Sequence, residues 1–301
     1  MKPAARVAAF VTLLVVVFAV AALAGGAIDP EGDDEGSDHA DDAQTGHGGM
    51  QAADHADRAA GAHAAGTEAA GHGGASAGTP AGGASSHGGY RLVAGATRFA
   101  AGRAAPLTFE ILDTSGKAVR DFDTEQARRM HVIVVRRDLR RYQHLHPVQG
   151  AGGAWATPLT LPDAGVYRAF ADFRIGGEQH TLGVDLFVPG DFEPRDLPAA
   201  SRTAAVDGYE VAFHEHPGEA GFYVRRGGKL VTDLQPYLGA RGHLVALREG
   251  DLAYEHVHPD PGPPPEIAFR LAGSEPGTYR LFLQFRHAGR VHTAAFTRVV
   301  A

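Results

Sequence analysis

Four histidines occur at one spacing in two stretches of the chain. His131, His144, His146 and His180 return as His243, His256, His258 and His292, each 112 residues further on. Imidazole is the commonest protein ligand for transition metals, and it suits Cu(II), Zn(II) and Ni(II). Suppose the run from His131 to Val135 is a strand that turns and returns through Tyr142 to His146. An unbulged pairing then sets His131 opposite His146 and Ile133 opposite His144. Side chains alternate along a strand, so His144 and His146 share one face and His131 joins them. Opposite residues lie about 5 Å apart at Cβ and diagonal ones about 7 Å. That is within reach of one ion whose nitrogen bonds are about 2 Å long. The same reasoning applies to His243, His256 and His258, so the spacing predicts one metal site per stretch. A single bulge would turn His131 to the other face. His180 follows the Gly176-Gly177 turn and His292 the Ala288-Gly289 turn. They are candidate fourth ligands if the last strand of each stretch lies beside the hairpin.

The rival account is a structural one. A histidine on a strand is ordinarily a core or surface residue with its ring nitrogens hydrogen-bonded, and a duplication would copy such a network too. The short pattern His-x-His-Pro alone carries little, because His214-Glu215-His216-Pro217 has it without a counterpart in the first stretch. The chain has no cysteine, which excludes thiolate metal sites, blue-copper centres, disulfides and cysteine nucleophiles. Met130 is the one candidate soft ligand, and Gly242 stands in its place in the second stretch. No G-x-S-x-G elbow, P-loop or H-E-x-x-H helix is present, so the sequence points to binding rather than catalysis. A net charge of −7 and the lack of a basic stripe argue against nucleic acid as a partner.

The elements around the histidines repeat as well. Gly116-Lys117 maps onto Gly228-Lys229, Tyr142 onto Tyr254 and Pro147 onto Pro259. Gly165, Tyr167, Phe170 and Phe173 map onto Gly277, Tyr279, Phe282 and Phe285. One offset holds from Gly116 to Val188, so the chain contains a tandem duplication. From Tyr90 onward, short β-branched or alternating runs are punctuated by Gly, Pro and Asp about every ten residues. The expected fold is all-β: two tandem immunoglobulin-like antiparallel sandwiches of about seven strands each. Their spans are 89–188 and 206–301, joined by a proline-containing linker at 189–205. Trp155, Tyr142, Tyr254, Phe170, Phe173, Phe282 and Phe285 are expected to be core.

The segment before the sandwiches differs in kind. Residues 1–27 carry Lys2 and Arg6 followed by an apolar run from Val7 to Ala24, with Ala22-Leu23-Ala24 as a small-residue cleavage site. This reads as an export signal or an uncleaved N-terminal membrane helix. It would place the rest of the chain outside the cytoplasmic membrane, anchored or secreted. Residues 28–88 are rich in Gly, Ala, His and Asp with almost no large apolar side chain, which predicts a disordered tether. His39, His47, His55 and His63 stand eight apart in it, which reads either as a solvated tether or as a weak, multivalent metal-collecting arm, and a tether can also bind.

Three stretches carry a family resemblance. They are Met130 to Leu139, His144-Leu145-His146-Pro147 and Gly165 to Phe173, with Leu234 to Val245, His256 to Pro259 and Tyr279 to Phe285 as counterparts. The unit, covering residues 90–301, resembles the small YtkA-like β-sandwich domain of exported bacterial proteins, which often accompanies heavy-metal-binding or copper-handling modules. The resemblance implies a sandwich pair and copper as the first metal; His180 and His292 fall outside its pattern. The resulting expectation is an exported, membrane-tethered protein binding a divalent transition metal, copper first and zinc second. Its roles would be buffering, delivery or sensing, with a metal transporter or another exported metalloprotein as partner. The alternative is a non-catalytic interaction module with structural histidines.

Overall fold

The computed structural model describes residues 83–216, 218–257, 259–260, 264–271 and 275–301, with only the backbone of His256. The apolar segment 1–27 and the tether up to residue 82 lie outside these residues. Within them every element is a β-strand, and no helix is long and apolar enough to cross a membrane.

The first repeat has nine strands: β1 (Ser86–His87), β2 (Tyr90–Ala94), β3 (Ala104–Leu112), β4 (His131–Arg136), β5 (Gln143–Leu145), β6 (Val148–Gln149), β7 (Trp155–Thr160), β8 (Gly165–Ile175) and β9 (Glu178–Val188). They form two antiparallel sheets, ordered β1-β2-β3-β7-β6 and β5-β4-β8-β9. The second repeat also has nine: β10 (Thr203–Val206), β11 (Tyr209–His216), β12 (Glu219–Arg226), β13 (Lys229–Leu230), β14 (Gly242–Arg248), β15 (Tyr254–Val257), β16 (Ile267–Arg270), β17 (Gly277–His287) and β18 (Arg290–Val300). Its sheets run β10-β11-β12-β13, with β16 against β12, and β15-β14-β17-β18. The count exceeds the seven expected per repeat because several strands are only two to four residues long. β1 pairs Ser86 with Arg91 and His87 with Tyr90, so the first sandwich takes in the end of the segment read as tether.

Each sandwich closes on its own core. Leu107, Phe109, Ile111 and Trp155 from one sheet meet Val132, Val134, Tyr167 and Phe173 from the other. Val211, Phe222 and Phe269 meet Leu244, Leu281 and Phe285 in the second repeat. β8 and β9 are joined by Gly176 and Gly177, both at positive φ, as a two-residue hairpin turn requires. Ala288 and Gly289 serve β17 and β18 in the same way.

β4 and β14 are buried on both faces, a pattern that alternation alone does not explain. Their inward residues fill the two sandwich cores. Their other faces make a third cluster: Ile133, Val135, Leu139 and Phe170 from the first repeat with Val245, Leu247, Leu252, Tyr254 and Phe282 from the second. The two sandwiches are therefore joined through the outer faces of equivalent sheets. The join is reciprocal. Tyr142 stacks on Phe282 at 4.2 Å between ring centroids, and Tyr254 stacks on Phe170 at 4.9 Å. These pairs exchange under the same 112-residue offset. Of the aromatic residues expected to be core, all but Tyr142 are buried, and Tyr142 packs partly buried against the third cluster; with Tyr254, Phe170 and Phe282 it holds the two repeats together.

Candidate metal centre

The histidines sit at the edge of that joining face. β4 and β5 pair Val132 with Leu145 and Ile133 with His144, a register that continues to His131 opposite His146. No bulge intervenes, so His131, His144 and His146 project on one side. Each can offer a ring nitrogen, and those nitrogens all lie within 4.8 Å of one another. His131 Nδ1 is 3.0 Å from His144 Nε2, and the His146 ring is 5.2 Å from His131 and 4.7 Å from His144. Two nitrogens bound tetrahedrally at about 2 Å would be about 3.3 Å apart.

Hydrogen bonds behind the rings decide which nitrogens face inward. His131 Nε2 donates to the backbone carbonyl of Glu125 at 3.2 Å. A carbonyl can only accept, so the proton is fixed on Nε2 and the Nδ1 lone pair is turned towards His144. His144 Nδ1 in turn donates to Gln284 Oε1 at 2.7 Å, and Gln284 is held by its own amide bond to Thr293 Oγ1. That leaves the Nε2 lone pair of His144 facing His131. Two lone pairs at this distance repel unless a cation lies between them, whether a proton or a metal ion.

The second repeat contributes to the same cluster. His243 Nε2 donates to the carbonyl of Tyr237 at 3.2 Å, the counterpart of the His131–Glu125 bond. Its ring lies 6.3 Å from His131 and 5.8 Å from His144. One site per repeat was expected, whereas the structure gathers histidines of both repeats at one junction. His258 and the side chain of His256 lie outside the described residues. The strand pairing nevertheless sets His256 opposite Val245, as His144 is set opposite Ile133.

Asp172 and Gln284 occupy equivalent places, opposite His131 and His243 in their ladders. Asp172 is only 1% exposed. It accepts from Gln179 Nε2 at 2.5 Å, Thr181 Oγ1 at 3.0 Å and, across the junction, Tyr254 OH at 3.2 Å. Burial pushes the Tyr254 hydroxyl well above its ordinary range and the Asp172 charge adds to this, so the phenol stays protonated and donates. These two positions were not singled out from the sequence. Their signal is the shared offset with a carboxylate in one repeat and a one-carbon-longer carboxamide in the other.

The candidate fourth ligands are corrected by the structure. His180 pairs with Phe173 across the β8–β9 hairpin, and His292 pairs with Phe285. Residues opposite one another share a face, and Phe173 and Phe285 point into the sandwich cores. His180 therefore packs against Phe173 and Tyr90, at 5.5 and 4.8 Å. Burial depresses its pKa. His292 lies against Tyr209 and bonds Asp207 Oδ2 through Nδ1 at 2.8 Å. Neither reaches the junction. Met130, 1% exposed, belongs to the first core and packs rather than ligates. His214 is hydrogen-bonded to Glu266 Oε1 at 2.6 Å and stacked on Tyr223, in the other sheet of its sandwich.

No curated protein matches the chain significantly. Solved structures that match part of it include Salmonella α2-macroglobulin reacted with methylamine, with 16% identity over 73% of this chain and 15% of that one, at a TM-score of 0.27. The Escherichia coli adhesin FdeC matches with 16% identity over 70% of this chain and 64% of its own, at 0.26. Invasin, a bacterial integrin-binding protein, matches with 16% identity over 65% and 36%, at 0.24. The chain spans less than two thirds of each, and likeness at these TM-scores carries no functional argument. The profile of one family, described as a domain of unknown function (DUF8832), matches residues 85–190 and again residues 204–301. The chain belongs to the DUF8832 family and carries its domain twice.

Proposed function

We propose that the junction of the two sandwiches binds a divalent transition metal through His131, His144 and His146, with His243 of the second repeat beside them. The observation that carries this reading is the orientation of the rings. Backbone carbonyls of Glu125 and Tyr237 hold the Nε2 protons of His131 and His243. Gln284 holds the Nδ1 proton of His144. Acceptors that hold the far ring N–H in this way fix the tautomer and present the remaining lone pair to a metal. An all-imidazole set suits Cu(II) and Zn(II), and the resemblance to YtkA-like domains puts copper first. By the 112-residue repeat, His256 and His258 are the sequence counterparts of His144 and His146.

In this reading the chain is an extracytoplasmic binding protein, held at the cell membrane by its N-terminal segment or secreted. It buffers, delivers or senses the ion, and a metal transporter or another exported metalloprotein is the natural partner. No turnover is required. The test is a competition titration of the full chain with Cu(II) and Zn(II), beside His144→Ala/His146→Ala. The His-rich arm is present in both, so the difference reports the junction alone. Loss of the tightest equivalent supports the reading. Identical isotherms would leave the histidines as a hydrogen-bond network within an interaction module.

A further inference from the structure

A second site stands apart from the histidines, where the β4–β5 turn of the first repeat meets β17 of the second. A cavity of about 630 Å³ opens there. Five arginines line it, among them Arg140 and Arg280, against three carboxylates. Behind the lining, the buried carboxylate of Asp138 accepts from Arg136 at 2.9 and 2.8 Å, so the arginines outnumber the acids by one, on a chain of net charge −7. Asp163 is already engaged by Arg141 at 2.5 Å and by Arg136 at 3.4 Å. The other two acids, Asp191 and Glu193, are exposed.

The duplication shows what an arginine at this place ordinarily holds. Arg280 corresponds to Arg168, and both lie over the equivalent phenylalanine, at 6.0 Å from Phe282 and 5.9 Å from Phe170. Arg168 is neutralised by Asp185 at 3.1 Å, and the same carboxylate takes both oxygens to Arg137 Nη2 at 2.9 and 2.8 Å. One acid thus sits between two guanidinium groups. In the second repeat that acid is Thr297, whose hydroxyl accepts from Arg280 Nη1 at 2.9 Å and brings no charge. Arg140, facing Arg280 in the cavity, hydrogen-bonds the backbone carbonyl of Asp196 at 3.1 Å and, among the described residues, no carboxylate, although the Asp138 charge is near. Burial lowers the pKa of Arg280, and the nearby charge of Arg140 lowers it further. The two cations repel, and the acid that neutralises Arg168 has only uncharged Thr297 as its counterpart beside Arg280, while the place of Arg137 is taken by exposed Glu249.

We infer that this cavity is an anion site, in which Arg140 and Arg280 grip a small oxyanion of phosphate or sulfate type, free or as the ester group of a small organic molecule. Paired guanidinium forks match the planar faces of such oxyanions. The cavity exceeds the size of the ion itself, and Leu139, Phe192 and Phe282 offer apolar wall to an organic remainder. The site is independent of the metal reading, because it shares no ligand with the histidines.

The test is calorimetric titration of the full chain with inorganic phosphate, sulfate and phenyl phosphate, each against sodium chloride at matched ionic strength. Saturable binding of phosphate or sulfate is expected, and tighter binding of phenyl phosphate would identify the ester as the better ligand. Thr297→Asp sets a carboxylate beside Arg280 Nη1, as Asp185 is set beside Arg168, and so neutralises Arg280 without occupying the cavity lining. It should weaken binding at least about tenfold. Arg140→Gln should do the same without adding an acid, and exposed Arg225→Gln should change nothing. The inference is overturned if no oxyanion binds beyond the chloride control. It is also overturned if Thr297→Asp and Arg140→Gln both bind as the wild type does.

Discussion

Tyr254 of the second sandwich donates its hydroxyl to Asp172 of the first, at 3.2 Å, where the carboxylate is 1% exposed. The equivalent Tyr142 is half-buried and stacks on Phe282, but its buried hydroxyl oxygen finds no hydrogen-bond partner among the described residues. The asymmetry follows from Asp172 being Gln284 in the other repeat. It predicts opposite outcomes for two identical substitutions. Tyr254→Phe deprives a buried charge of a donor and should cost about 1–3 kcal/mol. Tyr142→Phe removes an unsatisfied hydroxyl and should be neutral or stabilising. Denaturant midpoints of the two variants decide the matter, and equal losses would contradict it.

The junction should contribute to stability as a core does. Phe282→Ala leaves a cavity under Tyr142 and should cost about 3–5 kcal/mol, as for other large-to-small changes in a core. A double-mutant cycle with Tyr142→Ala should show coupling of about 0.5–1.5 kcal/mol from the stacked pair. Additive losses would mean that the two rings do not support each other in solution.

In the proposed site Gln284 would act on the ion through His144, whose ring it orients. Gln284→Leu should therefore keep the fold and weaken metal binding about 10- to 100-fold, the range for groups that orient a ligating histidine. Unchanged affinity in a competition assay would remove the orienting role assigned to it.

His180 should make the first sandwich acid-sensitive independently of any metal. Burial lowers its folded pKa below the ordinary histidine value of about 6.5, Glu178 opposes this and His87 adds to it. The unfolded chain then binds the proton more readily than the folded one. Stability is complete above about pH 6.5 and falls as pH drops through and below that value. His180→Phe keeps an aromatic ring against Tyr90 and Phe173 and should flatten the decline in melting temperature between pH 7 and 5. A slope as steep as the wild type's would count against it.

The duplication, the β class and the convergence of His131, His144 and His146 were legible because they depend on spacing and strand alternation. The misplacement of His180 was avoidable. Phe173 and His180 flank Gly176-Gly177 symmetrically, so a two-residue turn sets them opposite and on the core face. The joining of the sandwiches was not legible. Between His131 and Arg136 β4 reads as an unbroken apolar run, and a single sheet cannot say what covers its second face. The equivalence of Tyr90 and Tyr209 was hidden as well. Both lie on the ring of the repeat's last histidine, but the hairpin after Tyr90 is longer and breaks the 112-residue offset before Gly116.

The most direct measurement is an anomalous difference map from a crystal of the full chain loaded with Zn(II) or Cu(II). The account predicts a peak about 2 Å from His131 Nδ1 and His144 Nε2, with His131 Nε2 still bonded to the Glu125 carbonyl and His146 completing the shell. A map with no peak at the junction, and with the His131–His144 contact unchanged while metal binds elsewhere, would contradict it.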